Sequence, residues 1–310
     1  MKKWIGILFV VIIILGVAIY TLIPSQLKVG GYVRIDKPSG LITRLFVMPE
    51  KAKNWWPGEK INDTEFIYQE VHYRFSQWNP INIAFEATIG GMVTSATINT
   101  ITTQMDTTNL EIDYLPFATS LNPIKRIEIY QNASLLKKQL DSIASAIKRY
   151  SEKEENIYGI SIVRSRVKDS SLISTKKLYK LKPSNQDIHD LVQVLKNYAA
   201  QNGGVEHDYP MLNIRETLDH QFEAMVAIPL MRDIPSKGNI IIKKMILGNI
   251  LEAKVVGGPS HIANGEIAIK NYADDFNKKS PAIPFQSLVT DRSVESDSTK
   301  WITYLKYPVF

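Results

Sequence analysis

No cysteine occurs in the 310 residues. That absence excludes disulfides, thiolate zinc sites, iron–sulfur clusters and a cysteine nucleophile together. It leaves the compartment open, since neither a reducing nor an oxidising one demands cysteine. Histidine is scarce: His72, His189, His207, His220 and His261 form neither an H-E-x-x-H motif nor an i, i+4 pair. No metal and no other cofactor is implied. The G-x-S-x-G elbow, the Walker loop and the dinucleotide glycine fingerprint are also missing, so three common enzyme chemistries have no signature. The formal net charge is +6, but Lys and Arg are scattered, with no basic stripe or basic–aromatic groove. Nucleic-acid binding is not expected. At 45% hydrophobic and 22% charged residues the chain is globular in composition. Its length calls for two domains plus additional segments.

The longest apolar run is WIGILFVVIIILGVAIYTLI, residues 4–23. About twenty apolar residues at ~1.5 Å rise span the ~30 Å hydrocarbon core, and a helix satisfies its own backbone there. Lys2 and Lys3 precede the run and hold that end in the cytoplasm, while Trp4 and Tyr20 lie near its two ends, where amphipathic rings favour the interface. The expectation is a single-pass membrane helix from Trp4 to Ile23 in a bacterial chain, with the soluble parts outside the cytoplasm, periplasmic if there are two membranes. A cleaved signal peptide is the alternative. Gly16-Val17-Ala18 is the one small-x-small triplet, and it lies inside the run rather than after it.

The first soluble module is expected over residues 28–152. A short alternating strand at 32–35 precedes a helix opened by Lys37-Pro38-Ser39, with Leu41, Ile42, Leu45 and Phe46 at helical spacing. Pro49 starts a second short helix that ends at Asn54-Trp55-Trp56-Pro57-Gly58. Strands are predicted at 65–73, 81–88, 92–102 and 110–117, with turns at Asn79-Pro80, Gly90-Gly91 and Asp106-Thr107-Thr108. A long helix follows at 124–153, its apolar stripe including Leu136, Leu140, Ile143 and Ile147. Through VRIDKPSGLITRLFVMPEKAKNWWPG and the final helix, this order resembles the SRPBCC or START-like helix-grip superfamily. The resemblance implies a curved antiparallel sheet gripping the last helix around an apolar cavity, with Trp55 and Trp56 packed at its rim. Members bind lipids, polyketides or hormones, and some are cyclases.

The second module, residues 157–310, contains an internal repeat. KPSNQDIHDLVQVLKNYAAQNG, PMLNIRET and HQFEAMVAIPL are answered by GPSHIANGEIAIKNYADDFNKK, IPFQSLVTDR and KWITYLKYPVF. Pro183-Ser184 matches Pro259-Ser260, Lys196-Asn197-Tyr198 matches Lys270-Asn271-Tyr272, and Ile228-Pro229-Leu230 matches Tyr307-Pro308-Val309. Each copy is preceded by an expected hairpin: GISIVRSRV with SSLISTKKLYKL, and NIIIKKMI with NILEAKVVGG. Ser184 and Ser260 are the expected N-caps, and Gly203-Gly204 ends the first helix. The expected fold class is therefore α+β: a helix-grip domain, then a duplicated β-hairpin–helix–β-hairpin domain.

The repeat, with its GPS helix start and closing aromatic–x–Pro–Val strand, resembles the GyrI-like family. That family includes effector-binding domains of AraC- and MerR-type regulators and the related SOUL proteins. The resemblance implies a ligand cleft between two repeated units, often taking flat or cationic apolar compounds. Many members carry a Phe-Glu-x-Tyr element whose carboxylate meets a cation; the matching stretch here is Phe285-Gln286-Ser287-Leu288. A neutral amide lacks that charge, and Glu223, in the corresponding strand region of the first copy, is the candidate substitute. The regulators' DNA-binding part is replaced here by the apolar helix and the first module.

The expected function is non-catalytic binding or sensing of a small apolar or aromatic ligand at a membrane, with no nucleic acid and no identified protein partner. Candidate lining residues are Tyr198, Tyr209, Tyr272, Phe285, Trp301 and Tyr304, with Asn213, Glu223 and Gln286 as polar candidates. Two alternatives stand beside it: a hydrolase or cyclase using a cleft carboxylate, and an envelope scaffold that binds nothing small.

Overall fold

A computed structural model describes residues 2–104, 107–114, 117–118, 120–167, 171–280 and 282–310. The chain forms two compact units, Met1–Lys153 and Glu154–Phe310. Both are α+β with antiparallel sheets.

The first unit opens with α1 (Lys2–Leu22), one helix long and apolar enough to cross a membrane. β1 (Gln26–Leu27) and β2 (Gly31–Ile35) follow, then α2 (Ser39–Phe46), a 3-10 turn at Pro49–Lys51, and α3 (Ala52–Trp55). The meander is β3 (Glu59–Lys60), β4 (Glu65–Tyr68), β5 (Val71–Trp78), β6 (Asn82–Ile89), β7 (Met92–Gln104) and β8 (Thr107–Tyr114). β9 (Phe117–Ala118) pairs with β1, and α4 (Pro123–Glu152) closes the unit. The seven-stranded sheet runs β2-β8-β7-β6-β5-β4-β3.

The run expected as one strand at 65–73 is two, joined by a tight turn at Gln69-Glu70, where both residues take positive φ. Gln-Glu is not turn chemistry, so alternation ran through it unmarked. Of the turn signal Asp106-Thr107-Thr108, Asp106 lies outside the described residues, and Thr107 and Thr108 already belong to β8. The α4 stripe buries Leu136, Leu140, Ile143 and Ile147. Inside, the Tyr73 hydroxyl donates to Gln139 Oε1 at 2.7 Å, and Gln139 Nε2 donates to the Gln69 carbonyl at 3.0 Å. Trp55 and Trp56 are 3% and 6% exposed and pack among Phe66, Tyr73, Phe75 and Trp78, so they are core rather than rim.

The last turn of α1 is tied to the start of α4. Arg126, itself buried, donates from Nε to the Ile23 carbonyl at 2.9 Å and lies 4.9 Å above the Tyr20 ring. The Tyr20 hydroxyl donates to the Leu121 carbonyl.

The second unit contains α5 (Glu154–Tyr158), β10 (Ile162–Arg166), β11 (Ser171–Tyr179), α6 (Asn185–Gln201), β12 (Met211–Glu216) and β13 (Phe222–Leu230). Then come β14 (Ile241–Lys244), β15 (Asn249–Val256), α7 (Pro259–Asp275), β16 (Phe285–Leu288) and β17 (Ile302–Val309). All eight strands form one sheet in the order β10-β15-β17-β16-β12-β13-β11-β14. That order is symmetric about its middle: β14, β11, β13 and β12 of one half answer β10, β15, β17 and β16 of the other. The duplication read from the sequence is thus present in the topology.

Two details differ from the expectation. β10 pairs with β15 and β14 with β11, so neither expected leading hairpin forms; each leading strand crosses to the other copy, a choice strand periodicity does not encode. The helix starts are also slipped. α6 and α7 are each 17 residues long and start 74 residues apart, at Asn185 and Pro259, a spacing that aligns Tyr198 with Tyr272 but Ser184 with Gly258. Ser184 caps α6 in a capping box with Asp187, whereas α7 begins at Gly258-Pro259 and Ser260 caps nothing. The helix ends do match. Gly203 and Asn277 both take positive φ, and Gly204 and Lys278 donate back to Ala199 and Ala273 at 2.7 Å, a Schellman arrangement in each copy. One core is built from Ile188, Val192 and Leu195 of α6 against Ile173, Val226 and Ile228. Full burial of each such side chain contributes roughly 1.5–3 kcal/mol.

Candidate functional site

Strand alternation divides this sheet into a face packed on α6 and α7 and an open face. On β13, Ala224, Val226 and Ile228 enter the helix-side core, so Glu223, Met225 and Ala227 point the other way. The same parity puts Met211 and Asn213 of β12, Phe285 of β16, and Glu252 of β15 on the open face.

That face carries a cavity of about 340 Å³, walled by Leu172, Met211, Met225, Ile246, Ile283 and Phe285, among others, with Lys243 and Lys244 at its β14 side. An adjoining hollow of about 200 Å³ shares Val167, Met211, Met245 and Phe285 with it and adds Arg166, His207, Asp208, Glu252 and Lys306. The two form one cleft with an apolar half and a polar half. The combined volume lies in the range of small-molecule sites, which begins near ~300 Å³.

In the polar half, Glu252 accepts from Lys306 Nζ at 2.5 Å and from the Ser165 hydroxyl. Lys244 Nζ donates to Asp233 and to Ser171 Oγ, both at 2.8 Å, and its hydrogen bond is the main reason the Asp233 carboxyl is held below its ordinary range. Lys243 Nζ meets only the Met225 sulfur, at 3.5 Å, among the described residues. Glu252 is not among the sequence candidates; its one signal is a carboxylate flanked by Leu251 and Ala253 in the strand NILEAKVV.

The structure distributes the sequence candidates over both faces. Phe285 and Asn213 line the cleft, Asn213 with its Nδ2 donating to the Pro284 carbonyl at 2.9 Å. Tyr304 shares their face but lines neither hollow; Lys306 Nζ sits 5.6 Å from its ring. Glu223 is also on the open face, yet it is clamped by Lys176 at 3.0 Å and Arg215 at 2.7 Å. Those partners, Lys176's hydrogen bond first, hold its carboxyl below the ordinary 4.5. Nor does it replace Gln286. It stands on β13, the counterpart of β17, while Gln286 on β16 faces Leu212 of β12.

The remaining candidates lie on the helix side. Tyr198 donates to the Pro235 carbonyl at 2.8 Å. Tyr272 is 1% exposed, stacked on Phe276, and accepts from Arg164 at 2.8 Å. Burial raises its phenol above the ordinary 10.0. Gln286 donates to Glu266 of α7 at 2.9 Å and lines a separate hollow there. Trp301 is buried, donating to the Glu295 carbonyl under the Arg292 guanidinium. Tyr209 lines another hollow, of about 220 Å³, beside α6.

That α6 hollow contains His189, Asp291 and Ser293, the residue types of a hydrolytic triad. Their geometry is different: Ser293 Oγ and Asp291 Oδ1 both approach the same His189 nitrogen, at 2.8 and 3.4 Å, while Ser293 is bonded directly to Asp291. A triad needs the serine and carboxylate on opposite ring nitrogens, so this cluster is a bonded turn capped by a histidine. Among the described residues no group of three or more His, Asp or Glu is arranged to hold a metal.

No protein-family model matches the chain, and no curated protein matches it. Solved structures do. The C-terminal domain of EcmrR is 13% identical over 49% of this chain and 98% of its own, with a TM-score of 0.42. SAV2435, solved bound to tetraphenylphosphonium, is 13% identical over 49% of this chain and 94% of its own, at 0.34. The Zhui aromatase/cyclase from a Streptomyces species is 13% identical over 42% of this chain and 95% of its own, at 0.28. Likenesses this remote assign no function.

Proposed function

We propose that this chain is a membrane-tethered receptor for a small apolar molecule, which enters the cleft on the open face of the second unit and leaves unchanged. On this reading, residues 4–23 are the anchor, 28–152 a helix-grip module and 157–310 a GyrI-like binding module. The observation that carries the ligand reading is the apolar cavity of about 340 Å³ on a sheet face that neither α6 nor α7 covers. A binding role fits better than turnover because Glu252, a carboxylate of the cleft, is already engaged by Lys306 and Ser165, and Glu223 by two cations. The anchor reading is supported by the join at Arg126. The carbonyl bond from Tyr20 holds Leu121 level with the end of α1, and Leu121 and Ile124 are 87% and 76% exposed there, as side chains dipping into a bilayer interface would be.

The test of the site is a panel of compact apolar and aromatic compounds screened by thermal unfolding of the second unit. A ligand at a hundredfold its Kd stabilises by about 2.7 kcal/mol, or roughly 5–10 °C for a unit of this size. Met225→Trp, which fills the cavity from its floor, is expected to abolish that shift while the unliganded protein still folds. No compound producing a shift, or a shift untouched by Met225→Trp, overturns the assignment. Retention in the membrane pellet after alkaline extraction tests the anchor separately; release of a shortened chain identifies α1 as a cleaved signal.

A further inference from the structure

The cleft's charge points to the kind of molecule it takes. The apolar cavity is lined by two lysines, Lys243 and Lys244, and by no acid. The adjoining polar half adds Arg166 and Lys306 against Asp208 and Glu252. Of the three lysines, Lys244 is paired with Asp233 and Lys306 with Glu252. Lys243 has no such carboxylate partner among the described residues. It is solvent-exposed, and its ammonium rests on the Met225 sulfur, a weak neutral acceptor, at the edge of the apolar wall. An apolar cation seated against this wall would meet the Lys243 ammonium, whereas the carboxylates of the cleft, Asp208 and Glu252, lie in the polar half, and Glu252 is paired with Lys306. An apolar anion meets an ammonium with no carboxylate partner among the described residues.

We infer that the cleft selects an anionic amphiphile: a compact apolar or aromatic body seated among Met211, Met225 and Phe285, with a carboxylate-type head paired to Lys243. The inference rests on the binding reading above and names the ligand class for that same site. It runs against the preference for cations that the family resemblance implied, and the reason is local. The position where that resemblance expects a glutamate is Gln286, which here points to the helix side, while Lys243 of β14 edges the cavity.

The experiment compares three probes sharing one aromatic body: 2-naphthoic acid, 2-naphthalenemethanol and 2-naphthylmethylammonium, titrated calorimetrically against the full chain at neutral pH. The acid is expected to bind about tenfold more tightly than the alcohol, with the ammonium weakest. Lys243→Gln should bring the acid to within about twofold of the alcohol without moving the alcohol itself, and Lys243→Arg should retain the preference. Equal binding of all three, or tightest binding of the ammonium, overturns the charge inference while leaving the site standing. An acid preference that survives Lys243→Gln overturns the assignment to Lys243. If none of the three binds, and the wider apolar panel also fails, the cleft reading itself falls.

Discussion

Replacing Gln69-Glu70 by Asn-Gly should stabilise the first unit, and the size of the gain follows from the backbone. The two residues form the whole loop between β4 and β5, with Tyr68 paired to Val71. Their φ values, 45° and 68°, lie in the left-handed region. A two-residue hairpin needs this geometry to match strand twist, and Asn-Gly is its preferred occupant. The β6–β7 hairpin of the same sheet meets this demand with Gly90-Gly91 at 54° and 76°. An L-residue with a Cβ loses about 1–2 kcal/mol there, and glycine's extra unfolded-state entropy returns about 0.5–1 kcal/mol of that. The double substitution should therefore gain about 1 kcal/mol, or roughly 2–4 °C. Both side chains are exposed, and the link from this turn to α4 runs through the Gln69 carbonyl, which the change leaves in place. Thermal unfolding followed by tryptophan fluorescence reports this unit, because Trp55, Trp56 and Trp78 surround the affected sheet. An unchanged or lowered midpoint would mean that the chain does not turn at 69–70 in this way.

Three further outcomes test the second unit. Ser184→Ala should cost about 1 kcal/mol in urea unfolding, while Ser260→Ala should be neutral; equal effects would refute the slipped helix starts. Asn277→Gly should add about 0.5–1 kcal/mol, because the position already takes positive φ and is exposed, and a loss on urea unfolding would rule that C-terminus out. The depressed Glu223 carboxyl contributes stability that is complete above its ordinary 4.5 and is lost as pH falls through its lower folded value. Urea midpoints measured from pH 6 to pH 3 should thus fall less steeply for Glu223→Gln than for the parent chain; parallel curves would dissociate Glu223 from Lys176 and Arg215.

Much of the architecture was legible because it rests on local periodicity. The apolar run of α1, the stripe of α4 and the recurrence of Lys-Asn-Tyr in α6 and α7 each follow from which residues share a helix face. The duplication was legible for the same reason, since two copies of one pattern must fold alike. The Gln69-Glu70 hairpin was not, because tertiary pairing of β4 with β5 forces a turn on residues without turn preference.

The candidate site was less legible. Of the nine candidate lining residues, Asn213 and Phe285 reach the cleft, while Tyr198, Tyr272, Gln286 and Trp301 work on the helix side. Aromatic character does not tell which face of a sheet a residue occupies; strand register does, and one residue of shift exchanges the faces. By itself, then, the sequence determined two α+β units, an apolar N-terminal helix and an internal repeat, all properties of order along the chain. Only the tertiary structure decided that β10 and β14 exchange partners, that Glu252 lines the cleft while Glu223 does not, and that Lys243 stands at its edge. Those are matters of which strands lie side by side, and long-range pairing is written in no local pattern.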